Sequence, residues 1–213
     1  MPIAHHENRL LRNVLSFWKA WLRRPGRVGA LTPSSRSLAA AVACGIAPLR
    51  DGVVVELGGG TGSVTAALLR SGLAPDKLVV IERDRSLAKV LARRFPSVRV
   101  ICGDAGELAS LLQRAEVGPV GAVVSGLPLI MLPPELCRTI LAQSFALMPE
   151  DGVFVQFTYG PLSPLSRSTL RMLGLEGDRI DWIIGNLPPA AVWRYHRRGQ
   201  PRATPPQTGR RAA

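Results

Sequence analysis

Cysteine is scarce in this chain of 213 residues: Cys44, Cys102 and Cys137, with no C-x-x-C spacing and no histidine close by. That speaks against a disulfide frame and a cysteine-built metal centre. The three read as small, buried, apolar residues in a reducing compartment, and no metal is expected. Histidine is as sparse. His5, His6 and His196 all lie near the ends of the sequence, so no histidine base is expected in the core of a site. No apolar run approaches the roughly 20 residues that cross a bilayer, and the N-terminus lacks the apolar stretch of a secretory signal; a cytoplasmic protein is the expectation. Acids are few as well, 15 against 27 basic residues, for a net charge of +12. Lys19, Lys77 and Lys89 are the lysines, so arginine supplies the other 24. An excess of this size either answers a polyanionic partner (RNA, DNA or acidic lipid) or is a compositional bias toward arginine.

What is present is enough for one core. A length of 213 residues with 46% hydrophobic content fits a single folded domain. Residues 7–24, ENRLLRNVLSFWKAWLRR, place Leu10, Leu11, Val14, Leu15, Phe17, Trp18, Trp21 and Leu22 on one helical arc. Arg9, Arg12, Lys19, Arg23 and Arg24 fall on the other, and Pro25-Gly26 end the segment. This is an amphipathic helix with a basic rim. A Gly/Pro/Ser connection, VGALTPSSR, covers 28–36. A second helix is expected over about 35–47, with Ser34 or Ser35 as its N-cap.

Regular alternation follows. Strands are expected at 53–57, 78–82, 98–102, 120–126 and 152–159. Helices are expected at about 62–71, at 85–95, after Gly106 and at 134–148. Strand–helix alternation means a parallel sheet with right-handed crossovers. The runs at 179–185 and 190–196 are joined only by NLPP, too short for a crossover, and form an antiparallel hairpin. The expected fold is therefore α/β: a doubly wound, mostly parallel seven-stranded, Rossmann-like sheet with a C-terminal hairpin, the pattern of class I methyltransferases. Three parts are expected: the helical segment 1–27, the α/β domain 28–196, and a disordered basic tail 197–213.

The strongest local signal is VVVELGGGTG. Glu56, Gly58, Gly60 and Gly62 spell E-x-G-x-G-x-G where the first strand passes into a helix. Glycines permit a tight turn and close approach of a ligand to the backbone. The acid at Glu56 suits a positively charged cofactor group and would repel a pyrophosphate. Thr61 lies in the same loop. Glu82 ends the second strand, 20 residues after Gly62, where an acid accepts from the two hydroxyls of a ribose. Asp104, before Ala105, either accepts from an adenine amino group or caps the next helix. Ser125-Gly126-Leu127-Pro128 follows the fourth strand, over the place where a transferred group would leave. Tyr159 closes the fifth strand. Its hydroxyl can hold an amine and its ring can favour a methylated ammonium.

With these residues in view, the chain resembles the bacterial phospholipid N-methyltransferases, which methylate the amine of phosphatidylethanolamine toward phosphatidylcholine. The likeness lies in VGALTPSSR (28–36), VVELGGGTG (54–62), SGLPL (125–129), FVQFTYGPLSP (154–164) and NLPPAAVW (186–193). Ornithine-lipid N-methyltransferases look similar, and no short motif separates the two. The resemblance implies S-adenosylmethionine as cofactor, with S-adenosylhomocysteine as product, at Thr32, Ser35, Glu56, Gly58, Gly60, Thr61, Gly62, Glu82, Asp104, Ala105 and Ser125. It implies a catalytic place formed by Tyr159 and Ser125, and peripheral attachment to the inner face of the cytoplasmic membrane. Arg9, Arg12, Lys19, Trp18 and Trp21 would contact membrane rich in anionic lipid. Arg36 would hold a lipid phosphate, and Trp18, Trp21 and Trp193 can complete an aromatic wall. Nucleic acid is not expected, although an RNA adenine dimethylase is a rival: SGLP is similar to that family's Asn-Leu-Pro-aromatic loop, with Leu129 where the aromatic belongs. A non-catalytic membrane-binding module is a further alternative.

Overall fold

A computed structural model gives the structure of the protein and describes residues 40–41, 43–46, 51–159, 162–183 and 190–200. The expected amphipathic helix, the 28–36 connection and the chain from 201 onward lie outside the described residues.

Seven strands form one sheet: β1 (Val53–Leu57), β2 (Leu78–Glu82), β3 (Arg99–Cys102), β4 (Val120–Ser125), β5 (Val153–Tyr159), β6 (Leu175–Ile183) and β7 (Ala190–Arg197). Their order is β3-β2-β1-β4-β5-β7-β6. The first five are parallel, and β7 runs antiparallel to both β5 and β6. Among the described residues, helical chain at 40–41 and 43–46 precedes β1, and the helices after it are α1 (Ser63–Arg70), α2 (Arg85–Arg94), α3 (Leu108–Arg114), α4 (Pro134–Leu147) and α5 (Arg167–Met172).

β2 is buried at every position and β1 at all but its first. A β-branched run without alternation is the mark of a strand covered on both faces. One face packs Val54, Val80, Val124, Val155 and Val192 against Leu68 of α1, Leu91 of α2 and the helical residues Ala41 and Ile46. The other packs Val55, Ile81, Val123 and Phe154 against Leu111 of α3 and Ile140 and Leu141 of α4. The chain lays β1, β2 and β3 to one side, then returns to place β4 on the other side of β1. That reversal opens a crevice at the carboxyl ends of β1 and β4, where doubly wound sheets bind ligands.

The sequence expectations meet the structure within a residue or two along β1 to β5. Four readings are corrected. Residue 175, not 179, begins β6, because Leu175 and Gly177 face β7 and Gly177 leaves room for the Tyr195 ring. Arg197 and Arg198 are not tail: Arg197 ends β7 and its guanidinium donates to the carbonyls of Phe145, Pro149 and Glu150. Cys102 is exposed, since β3 is an edge strand, and Cys44 is half-buried; only Cys137 is fully buried, and all three are free. Finally, His196 is 1% exposed, although it lies at the end of β7 remote from the crevice. Helix α5 was not anticipated. Ser166 caps it by accepting from Thr169 N at 3.1 Å.

Candidate active site

The glycine loop leaves β1 and enters α1. Gly58, Gly60 and Gly62 have φ of 76°, 53° and 83°, in the left-handed region that side chains disfavour. At Gly58 there is a second constraint: a Cβ there would lie 2.7 Å from Leu127 Cδ2. The loops after β1 and β4 thus touch, and a side chain at 58 would part them. The loop is held from three sides. Gly58 N donates to Ile81 O at 2.8 Å, Gly60 N to Glu82 Oε2 at 2.8 Å, and Arg94 Nη1 at the end of α2 to Thr61 O at 2.7 Å. Gly62 is the N-cap of α1 and offers no side chain, so first-turn N–H groups stay free of side-chain caps.

Glu56 is 0% exposed. One carboxyl oxygen, Oε2, accepts from Thr65 Oγ1 of α1 at 2.7 Å; the other, Oε1, has no partner. Burial pushes its pKa up to about 8, the Thr65 bonds pull it down in part, and the Glu82 charge adds to the rise. A cationic ligand beside Oε1 would satisfy the orphaned oxygen and favour its ionised form.

Glu82 does more than its sequence position suggests. Oε2 takes Gly60 N and Oε1 takes Asp84 N, both at 2.8 Å, so this carboxylate joins the glycine loop to the start of α2. Each oxygen keeps a lone pair for a ribose hydroxyl. Asp104 caps the short turn after β3: Oδ1 accepts from Gly106 N at 2.8 Å, and Oδ2 lies 3.5 Å from Arg83. The capping alternative is therefore realised, with Ala105 buried behind it.

Ser125, fully buried at the end of β4, accepts from Leu127 N at 3.3 Å, while Gly126 N donates to Leu57 O at 2.9 Å. Gln156 on β5 holds the same loop, its Nε2 donating to Leu127 O at 2.9 Å and to Phe157 O at 2.6 Å. Tyr159 is the last residue of β5, at the crevice end of the strand. Thr32, Ser35, Arg36, Arg9, Arg12, Trp18, Lys19 and Trp21 lie outside the described residues.

Sequence reasoning passed over Gln156 and Arg194, and it took Trp193 only as a wall. Among the described residues, the buried side-chain atoms without a hydrogen-bond partner are Glu56 Oε1, Gln156 Oε1, Trp193 Nε1 and Arg194 Nε. They lie in two adjacent rows of the sheet, whose side chains point to opposite faces. Glu56, Val124, Val155 and Arg194 form one row across β1, β4, β5 and β7. Leu57, Ser125, Gln156 and Trp193 form the next. A buried polar group without a partner asks for a missing ligand or water. Strand-to-strand register carries this signal, and no linear motif contains it.

No protein-family model matches the chain. The ornithine lipid N-methyltransferase of Singulisphaera acidiphila is 31% identical over 189 residues, which span 86% of this chain and 95% of that protein. Among solved structures, the 1,6-didemethyltoxoflavin-N1-methyltransferase of Burkholderia thailandensis, with bound S-adenosylhomocysteine, superposes with a TM-score of 0.60. It is 18% identical, over 91% of this chain and 89% of that one. The magnesium protoporphyrin IX methyltransferase of Synechocystis, with bound S-adenosylmethionine, gives 0.58 at 14% identity, over 89% and 96%.

Proposed function

The chain belongs to the family of S-adenosylmethionine-dependent methyltransferases that includes the ornithine lipid N-methyltransferase of Singulisphaera acidiphila, and on that premise we propose that it methylates the primary amine of a lipid headgroup at a membrane surface. The observation that carries this reading is likeness along 95% of a lipid-modifying relative, beside the acid-and-glycine crevice of this chain. Ornithine lipid is the first acceptor. Phosphatidylethanolamine, on the sequence resemblance, is the second, with methylation running toward phosphatidylcholine.

Bound S-adenosylmethionine would supply a methyl group on a sulfonium, already electrophilic. The residues present fit such a cofactor: the orphaned Glu56 Oε1 meets the cationic methionine end, and the glycine loop admits close approach. Glu82 would receive the ribose, and Asp104 and Ala105 would border the adenine. The chain's part is then orientation and exclusion of water. The Ser125–Pro128 loop, held by Gln156, closes over the transfer point. Tyr159 would hold the incoming amine, whose proton would pass to water or a modest acceptor. No helix among the described residues is long and apolar enough to cross a membrane. Residues 1–27 would bring the enzyme to the inner face of the cytoplasmic membrane by an apolar face and a basic rim, and 28–196 would carry the transfer.

The test is transfer of labelled methyl from S-adenosylmethionine to vesicles containing ornithine lipid or phosphatidylethanolamine, each mixed with an anionic lipid. Labelled lipid is the expected product. Tight cofactor binding with neither lipid labelled would overturn the lipid reading and make RNA the next acceptor to try.

A further inference from the structure

The two rims of the sheet differ in charge. At the amino ends of the strands, Asp51 before β1, Asp76 before β2, Glu116 before β4, and Glu150 and Asp151 before β5 are acidic and exposed. At the carboxyl ends of β2 and β3, acids follow as well: Asp84, Asp104 and Glu107. The carboxyl end of β4 has none. Residues 125–134, SGLPLIMLPP, carry no charge in a chain that is 20% charged. Leu129 turns into the core, but Ile130, Met131 and Leu132 are only half-buried, and Pro133 and Pro134 are exposed. The next acid along the chain, Glu135 of α4, is paired with Arg138.

The same rim carries an aromatic–cation pair on β6. Arg179 and Trp182 are three apart, and a regular strand would turn them to opposite faces. The bulge between Arg179 and Asp181 brings them to one face, with the guanidinium 5.8 Å from the Trp182 ring centroid. Arg179 is exposed and belongs to no ion pair among the described residues. Trp182 stands one pair short of the crevice end, since Ile183 pairs with Ala190 and Ala190 with Tyr159. Arg179 pairs with Trp193, whose side chain lies on the face that α4 covers. The 125–134 turn leads into α4, so turn and pair open on the same side of the sheet.

An uncharged apolar turn beside a tryptophan and an unpaired arginine matches a phospholipid surface. Apolar side chains suit the boundary below the headgroups, indole suits the interface, and a guanidinium suits a lipid phosphate. The acids of the opposite rim fit the same orientation, because an anionic surface repels them. Resting on the membrane reading of the proposed function, we infer that the rim from the β4–α4 turn to β6 is a second membrane contact, distinct from residues 1–27, in which Ile130 and Met131 enter the lipid interface and Arg179 holds the phosphate of an anionic lipid. Seated this way, the crevice opens toward the bilayer, and a headgroup reaches it without the lipid leaving the membrane.

The test uses the full-length protein with the exposed Cys102 changed to serine, and vesicles of phosphatidylcholine and phosphatidylglycerol. An environment-sensitive dye is attached at Met131→Cys, at Pro133→Cys as a second rim position, and at Asp76→Cys on the opposite rim. The Cys102→Ser protein alone gives the background. On vesicles, the dye at the rim positions should brighten and shift to the blue, and the dye at position 76 should not. Silence at both rim positions while the protein binds vesicles overturns the inference and leaves the membrane reading standing. No vesicle binding at all overturns both. A rim response that needs no vesicles and grows with protein concentration assigns the rim to a second copy of the chain, and also sinks the inference. Arg179→Glu should weaken vesicle binding at least about fivefold more than Arg70→Glu, an equal change of charge at an exposed arginine ending α1. Equal weakening would remove Arg179 from the contact and overturn the inference. Neither measurement needs methyl transfer, so the choice of acceptor lipid is decided separately.

Discussion

Glu56 and Glu82 show how the same side chain does different work in adjacent strands. Glu56 is sealed between β1 and α1 with one oxygen unpartnered, so burial dominates and its pKa rises from 4.5 to about 8. The folded state then holds a proton that the unfolded chain has released. Stability from this group is complete below about pH 4.5 and declines as pH rises toward 8, by at most ~1.4 kcal/mol per unit. Glu56→Gln should flatten that part of the stability curve, measured by denaturant unfolding from pH 5 to 8; an unchanged slope would show that Glu56 is ionised throughout. Saturating S-adenosylmethionine should flatten the wild-type curve as well, because a cation beside Oε1 favours the ionised form. Glu82 instead holds two backbone N–H groups. Glu82→Ala leaves both unmet, at a cost of ~1–3 kcal/mol each. It should weaken cofactor binding at least about tenfold by calorimetry; unchanged affinity would remove Glu82 from the site.

At the scale of elements, the site is made where the loops after β1 and β4 meet. Gly62 turns the chain into α1 at φ 83°, and a Cβ there would fall 2.5 Å from Phe95 Cε2. Gly62→Ala should destabilise the protein by ~1–3 kcal/mol and lower cofactor affinity, as read by thermal melts with and without S-adenosylmethionine. Gln156 acts on the other loop. Gln156→Leu removes the bonds to Leu127 O and Phe157 O along with an orphaned oxygen, so folding stability should fall by ~1–3 kcal/mol. With the Ser125–Pro128 loop released, kcat should fall more than cofactor affinity. Equal falls in both would mean Gln156 supports the whole crevice. Trp193, a wall residue in the sequence reading, belongs to this row through its register with Gln156. The sequence could not show it, because the pairing joins residues 37 positions apart and depends on β7 folding back beside β5.

For the molecule as a whole, the charge of +12 and the helical pattern before residue 27 belong to one prediction. A protein lacking residues 1–27 should bind anionic vesicles at least about tenfold more weakly, with little change in affinity for S-adenosylmethionine. The full-length protein's binding should weaken as salt rises. Loss of cofactor affinity together with vesicle binding would place that segment in the crevice instead. By itself the sequence determined the strand–helix alternation, the parallel sheet with its closing hairpin, and the crevice residues of the E-x-G-x-G-x-G loop. Those are local: hydrophobic period, chain length between strands and glycine spacing each act over a few residues. Only the tertiary structure decided that Glu56 is sealed with one oxygen unmet, that Glu82 grips two backbone amides, and that Arg194 stands in the row of Glu56 while Gln156 and Trp193 stand in the next, on the opposite face. Those properties arise from register between strands distant in the chain and from the low dielectric of a covered sheet, which no stretch of sequence carries alone.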